Sequence, residues 1–360
     1  MKPCPGSSLL VRIALCCQYR SPCRNYSSIT SSGWNATQQS RHGNSNSSNR
    51  NSDRNSNRNS KHSSNSNESN TNSPPKKRDR ERLNLHGIFA VFKPKGVTSS
   101  GAINHLKYIL SQEKHKQVKV GHGGALDKSA QGVLVVGVGN GCKELTKHLL
   151  GDKEYVVEAL LGSSTSTFDA EGDVTNTASY DHIQEADFEA VLQQFLGKTK
   201  QVPPLFSAKK IQGKRFSDLA REVQKKGQDS SSLQELAESR TREVTITRIT
   251  SLRWEPPHFT VAVNCSSGTY MRSLVNDVGI RLGSAAHCLE IIRTRVGSFG
   301  MFPSPDHSEF VPIVPWDQCT EHNMKKAVAG RYTGLDSPKS HAHWDGSGHF
   351  FEEQKKLGGK

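Results

Sequence analysis

The stretch from Gly121 to Val138, GHGGALDKSAQGVLVVGV, decides how this chain is read. Its second part, Val133 to Val138, is apolar at consecutive positions, the pattern of a strand buried on both faces and therefore interior to a sheet. Its first part is a glycine-rich turn, Gly121-His122-Gly123-Gly124, followed by Ala125-Leu126-Asp127. Glycines there let backbone approach a ligand closely, so Asp127 is a carboxylate presented on a tight loop. Taken alone, an acid in that setting is more often a helix cap or a solvated loop residue. A phosphate-loop reading fails because no Gly-Lys-Ser/Thr follows, and Gly137-Val138-Gly139-Asn140-Gly141 lacks dinucleotide spacing.

Working outward, Gly87 to Phe92 reads as a buried strand ended by the turn Lys93-Pro94-Lys95-Gly96. Ala102, Ile103, Leu106, Ile109 and Leu110 recur at helical spacing after Ser99-Ser100. Tyr155 to Leu161 is a further strand, and Phe188, Val191, Leu192, Phe195 and Leu196 mark a helix. Phe216 to Val223 makes another helix. Two strands follow, Val244 to Trp254 and Phe259 to Cys265, joined by a turn at Glu255-Pro256-Pro257. Leu274, Val275, Val278 and Leu282 form a helix that starts after Gly268-Thr269-Tyr270, and Leu289 to Ile292 begins a last strand. Strands and helices mix without strict alternation, so the fold class is α+β rather than a doubly wound parallel sheet. After about Phe302 the sequence is rich in Pro, His, Gly and charge with no sustained period, and residues 303–360 read as an irregular C-terminal extension.

The composition places the charge away from this folded part. Of the formal net charge of +14, residues 1–82 carry +10 and residues 83–360 carry +4. From Asn44 to Ser73, 22 of 30 residues are Asn or Ser, too little apolar surface to offset about 1–2 kcal/mol of backbone entropy per ordered residue. Residues 1–82 are therefore expected to be a disordered tail, with the folded domain at 83–302. The first 50 residues contain no acid and hold Arg12, Arg20 and Arg24 in Ser-rich sequence, which suits a mitochondrial import segment. Pro74-Pro75-Lys76-Lys77-Arg78-Asp79-Arg80 suits a nuclear-entry patch, and a cytosolic location stays open. No apolar run approaches the roughly 18 residues of a spanning helix, so no membrane role is expected. The eight cysteines are too dispersed for a zinc motif or a disulfide framework, and no metal is expected.

Two more stretches bear chemistry. Lys153-Glu154-Tyr155 opens a strand, and Arg272 sits in Gly268-Thr269-Tyr270-Met271-Arg272-Ser273-Leu274, at a helix start where the dipole disfavours a cation. An acidic partner held opposite Arg272 would explain that placement, though a solvent-facing arginine is the commoner case. In this order the stretches resemble the TruB family of RNA pseudouridine synthases. The family's patterns stand here as Lys93-Pro94-x-Gly96-x-Thr98-Ser99, Gly121-His122-x-Gly124-Ala125-Leu126-Asp127 and Lys153-x-Tyr155. They continue as Gly162-x4-Thr167-x-Asp169-x-Glu171-Gly172, Gln201-Val202-Pro203-Pro204-x-Phe206-Ser207-Ala208-x-Lys210 and Gly268-Thr269-Tyr270-x-Arg272-Ser273-Leu274. The similarity spans about residues 87 to 300, is closest to the eukaryotic TruB homologue type, and includes no evident PUA domain.

The resemblance implies a pseudouridine synthase catalytic fold, a mixed and mostly antiparallel sheet with flanking helices, acting without cofactor or metal. By similarity Asp127 is the catalytic carboxylate, Arg272 the arginine that pairs with it, and Tyr155 the aromatic that stacks on the flipped base. Ile291 matches the apolar residue under the uracil and His122 a histidine that holds extruded nucleotides. Tyr270 and Lys93 are implied to buttress the substrate site. Three positions depart from the family's pattern: Lys128 stands for a common proline, Phe206 for a tyrosine, and Ile292 for an arginine. The implied substrate is the T-loop uridine of tRNA, gripped at the T-arm by a monomer, with messenger RNA stem-loops of like shape a further candidate. The alternatives are an RNA-binding or tRNA-folding protein, and a guide-dependent synthase of the dyskerin-like branch.

Overall fold

The computed structural model describes residues 84–112, 118–207, 209–211, 213–226, 231–303 and 307–334. The expected tail over 1–82, its two candidate address segments and the chain beyond 334 lie outside the described residues.

In chain order the elements are β1 (Gly87–Lys93), α1 (Ser99–Ser111), β2 (Val120–His122), β3 (Gln131–Val138), α2 (Leu145–Leu150), β4 (Lys153–Leu161), β5 (Ser163–Thr165), β6 (Val174–Thr177) and α3 (Glu185–Gln193). They continue with β7 (Gly197–Gln201), β8 (Lys210–Ile211), β9 (Lys214–Arg215), α4 (Phe216–Lys225), α5 (Ser231–Glu238), β10 (Arg242–Glu255), β11 (His258–Cys265), α6 (Met271–Arg281), β12 (Ala286–Val296), β13 (Phe299–Gly300), β14 (Val311–Pro312) and α7 (Glu321–Val328).

One sheet organises them, with its main path running β1-β3-β12-β4-β11-β10-β7. Along that path only β12 and β3 run parallel; the other pairs are antiparallel, as the α+β reading expects. All eight residues of β3 are buried, which is why its sequence is continuously apolar instead of alternating. β4 shows the period-2 rule. Tyr155, Val157, Ala159 and Leu161 point into the larger core with Phe188 of α3 and Leu274 and Val278 of α6, while Val156 faces the other way and packs with Ile292. A second core joins β1 and β3 to α1 through Phe89, Val91, Leu106 and Leu110. α4 and α5 make a small core of their own over Val202, Leu205 and Phe206.

Helix α1 begins at Ser99, earlier than the sequence reading after Ser99-Ser100, with Thr98 as its cap. Thr98 is extended and its hydroxyl accepts from the Gly101 amide at 3.0 Å, satisfying one free N–H of the first turn. Gly132 carries φ +113, and a Cβ there would lie 2.2 Å from the carbonyl oxygen of Arg293, so only glycine lets β3 and β12 approach this closely.

The structure departs from the sequence reading in several places, including two helices not read from the sequence, α2 and α5. The strand begun at Leu289–Ile292 is one continuous strand from Ala286 to Val296. The short strands β5 to β9 carry little apolar signal of their own, and β7 is mostly exposed at the end of the sheet path. Residues 307–332, read as part of an irregular extension, are folded. Val314 pairs with β1, with Phe92 N donating to Val314 O at 2.9 Å and Val314 N to Ala90 O at 2.8 Å. Helix α7 is capped by Thr320, buries Met324 and leads to Tyr332, whose hydroxyl donates to Gln318 at 3.0 Å. An eight-residue helix anchored by few apolar side chains is too short for periodicity to reveal.

Candidate active site

The β3–β12–β4 junction and the start of α6 frame a cleft of about 270 Å³. Asp127 stands at its wall on the loop between β2 and β3. That loop is tied down at several points. Ser99 Oγ accepts from the Leu126 amide at 2.8 Å and donates to the Leu126 carbonyl at 2.9 Å, fixing the residue before Asp127 to the first turn of α1. Gly96 N donates to Lys128 O at 2.8 Å, and Ala130 N to Asp127 O at 3.2 Å. Lys128, where a proline was noted as common, is thus held through its backbone rather than by a ring.

Arg272 reaches Asp127 from the first turn of α6, 145 positions along the chain. Its Nε donates to Asp127 Oδ2 at 2.8 Å, and Nη2 lies 2.7 Å from the same oxygen. Its other donors go to the carbonyls of Thr167, at 2.8 Å, and Phe206, at 2.9 Å. Asp169, Oδ2 3.8 Å from Arg272 Nε, adds a second carboxylate behind the first. Asp169 is itself fixed by the hydroxyls of Thr167 at 2.6 Å and Ser129 at 3.1 Å. Burial opposes charge on Arg272, yet Asp127 and Asp169 outweigh it and hold its pKa above the ordinary value. The guanidinium side chain is 3 % exposed while the Asp127 side chain is 36 % exposed, so the cation is locked and the carboxylate stays open to a ligand. The acidic partner expected from Arg272's placement at a helix start is therefore Asp127.

Tyr155 and Ile291 complete the cleft from adjacent strands, Ile291 opposite Val157 in the register and Tyr155 opposite Arg293. Burial raises the Tyr155 phenol above its ordinary pKa, keeping it protonated at neutral pH. Tyr270 also lines the cleft; Gln201 clamps its backbone, accepting from Tyr270 N at 2.8 Å and donating to Tyr270 O at 3.0 Å.

Lys93 is fully buried and does not line the cleft. Its ammonium donates to the carbonyls of Pro94 (2.9 Å), Val97 (2.7 Å) and Ala130 (2.6 Å), joining the β1 turn to the end of the Asp127 loop. Burial and then Arg293 lower its pKa to about 8. His122 is not among the cleft residues either. It pairs with Val136 in β2, its Nδ1 is enclosed without a hydrogen-bond partner among the described residues, and burial lowers its pKa. Ile292, where the family pattern has arginine, is fully buried on the sheet face opposite Ile291.

Arg293 is the functional residue that sequence reasoning missed. Only 1 % exposed, it donates from Nε to Val133 O at 2.8 Å, from Nη1 to Ala125 O at 3.2 Å and from Nη2 to Gly124 O at 3.0 Å, and it also contacts Tyr155. It therefore positions both the Asp127 loop and the aromatic wall. No local pattern marks it, since an arginine in a strand ordinarily faces water. Lys153, named in the Lys153-x-Tyr155 pattern but given no role there, also belongs to the cleft. It donates to Leu149 O at 2.9 Å, and burial, then Arg293, lower its pKa to about 8.

Residues 112–271 match the family model described as TruB family pseudouridylate synthase, N-terminal domain. The chain is 46 % identical over 229 residues to "Pseudouridylate synthase TRUB1" of Mus musculus, covering 60 % of this chain and 64 % of that protein. It is 38 % identical over 206 residues to "tRNA pseudouridine synthase B" of Phocaeicola vulgatus, covering 57 % of this chain and 83 % of that one. Among solved structures it aligns with a chain of "Crystal Structure of a Cbf5-Nop10-Gar1 Complex" at 30 % identity and a TM-score of 0.43, covering 60 % of this chain and 50 % of that chain.

Proposed function

The chain belongs to the TruB family of pseudouridylate synthases, and from that premise we propose that it isomerises uridine to pseudouridine in RNA, with the T-loop uridine of tRNA as substrate. Relatives named tRNA pseudouridine synthase B support tRNA as the substrate, and the proposal extends to messenger RNA stem-loops of like shape.

The observation that carries this reading is one carboxylate, Asp127, held by the buried Arg272 beside an apolar slot. In the reaction the bond from ribose C1′ to uracil N1 breaks, the base turns, and C1′ bonds to C5. The proton leaves C5 and N1 ends protonated, so nothing is consumed. Asp127 acts beside the sugar, as nucleophile or as base toward a ribose proton, and either role needs it charged. The buried Arg272 guanidinium, donating to Asp127 Oδ2 at 2.8 Å, fixes the carboxylate through a charge-assisted hydrogen bond. Tyr155 and Ile291 provide flat and apolar walls for a uracil taken out of its stack.

Tritium release from tRNA carrying [5-³H]uridine measures the reaction directly. Wild-type protein is expected to release the label and Asp127→Asn to release none, while tRNA binding persists. Release by the purified variant above a few per cent of wild type would remove Asp127 from the chemistry. A pure RNA-binding protein would release nothing in either form.

A further inference from the structure

Past Tyr270 the cleft reaches Arg242, and there its charge turns positive. The Arg242 guanidinium lies 5.3 Å from the centroid of the Tyr270 ring and against the backbone of Gly268, where a Cβ would sit 2.2 Å from Nη2. Gly268 has φ +82, a backbone conformation that favours glycine, and the Arg242 guanidinium fills the space beside it. Arg242 Nε is enclosed and has no hydrogen-bond partner among the described residues. In the same set no carboxylate lies within ion-pair distance of Arg242, whereas Arg253, Arg272 and Arg295 each have one.

Two further cations crowd this end. Lys209 Nζ donates to the Arg240 carbonyl at 3.1 Å, which tethers its ammonium beside the Arg240–Arg242 segment. Burial, then Arg242 and Arg240, lower the Lys209 pKa, as expected for cations gathered without an acid. A guanidinium fixed by an aromatic ring and a glycine, with a donor enclosed and a second cation at hand, is built to receive an anion.

We propose that Arg242, assisted by Lys209, binds a backbone phosphate of the RNA beside the nucleotide seated against Asp127. The proposal deepens the RNA reading above and rests on it. A phosphate held here fixes the register of the strand, while Tyr155 and Ile291 receive the base.

The test measures binding of a T-arm stem-loop to the full chain by fluorescence anisotropy across a salt series, with tritium release run alongside. Arg242→Gln is expected to weaken binding about tenfold, as for one lost charge-assisted contact, and to reduce the log–log salt slope by about 0.7 to 0.9. Arg242→Lys keeps the charge and should restore most of the slope. Stem-loops with a single neutral methylphosphonate beside the target uridine supply an arm that leaves the protein intact. One such linkage should weaken wild-type binding about tenfold and add no further loss to Arg242→Gln. Unchanged affinity and slope in Arg242→Gln overturn the subsite, as does a methylphosphonate penalty that persists in full in that variant. Failure of wild type to release tritium refutes the enzymatic reading instead, so the two failures are distinct.

Discussion

Replacing Arg293 by methionine tests whether the site is held from beneath as the structure indicates. The substitution keeps an unbranched side chain and removes the donors that reach Val133 O, Ala125 O and Gly124 O. Each buried carbonyl left without a partner costs about 1–3 kcal/mol, and three of them set an upper range near 3–9 kcal/mol. Loss of the cation's own burial cost offsets part of this, so the net loss should be about 3–4 kcal/mol. A domain of ordinary stability, about 5–15 kcal/mol, survives that loss and remains measurable. Urea unfolding at 25 °C, followed by far-UV circular dichroism, reads the change in midpoint at constant slope. Catalysis should suffer as well, because Gly124 and Ala125 lead directly into Asp127 and Tyr155 loses its neighbour. A shift of about 1 Å in a reacting group costs about 100-fold, so kcat should fall by that order with the variant still folded. A stability loss under about 1 kcal/mol together with near wild-type kcat would refute the claim that Arg293 positions Asp127 and Tyr155.

Two other substitutions follow from the same geometry. Gly132→Ala places a Cβ 2.2 Å from the Arg293 carbonyl at a φ of +113, and should cost at least about 3 kcal/mol or abolish soluble expression, read by thermal unfolding of the purified protein. Lys93→Met bears on pH. The folded-state pKa of Lys93, about 8, lies below its unfolded value of 10.5, so between those values the unfolded chain binds more protons and Lys93's contribution to stability rises with pH. The advantage of wild type over Lys93→Met should therefore be constant below pH 8 and widen above it, by at most about 1.4 kcal/mol per pH unit, in urea titrations from pH 6 to 10. A difference that stays flat across that range would show that Lys93 keeps its proton throughout.

Much of the scaffold was legible because its signals are local. β3 announces itself by an unbroken apolar run, α1 by its period, and α6 by the apolar spacing after Tyr270. The cleft residues Asp127, Tyr155, Arg272 and Ile291 were reached through the family resemblance, and the structure brings all four together with Tyr270. His122 and Lys93 were drawn in by the same resemblance. Lys93 supports the Asp127 loop from the interior, and His122 lies in a strand pair outside the cleft. The C-terminal helix escaped notice because one short helix packed on β1 leaves no period to count.

By itself the sequence determined the fold class, the place of the main strands and helices, and a +10 excess of charge confined to residues 1–82. Hydrophobic period, turn chemistry and composition are properties of neighbouring residues, so they survive without coordinates. Which charges meet was decided only in three dimensions. Arg272 finds Asp127 across 145 positions because α6 and the β2–β3 loop converge at one end of the sheet. Arg293 stands beside Tyr155 because β12 pairs with β4 in a particular register, and a slip of one residue would turn it to the opposite face. Buried cations need acceptors that the tertiary structure alone assembles, here the carbonyls of Gly124, Ala125, Val133, Thr167 and Phe206. No local pattern could have foretold those partners.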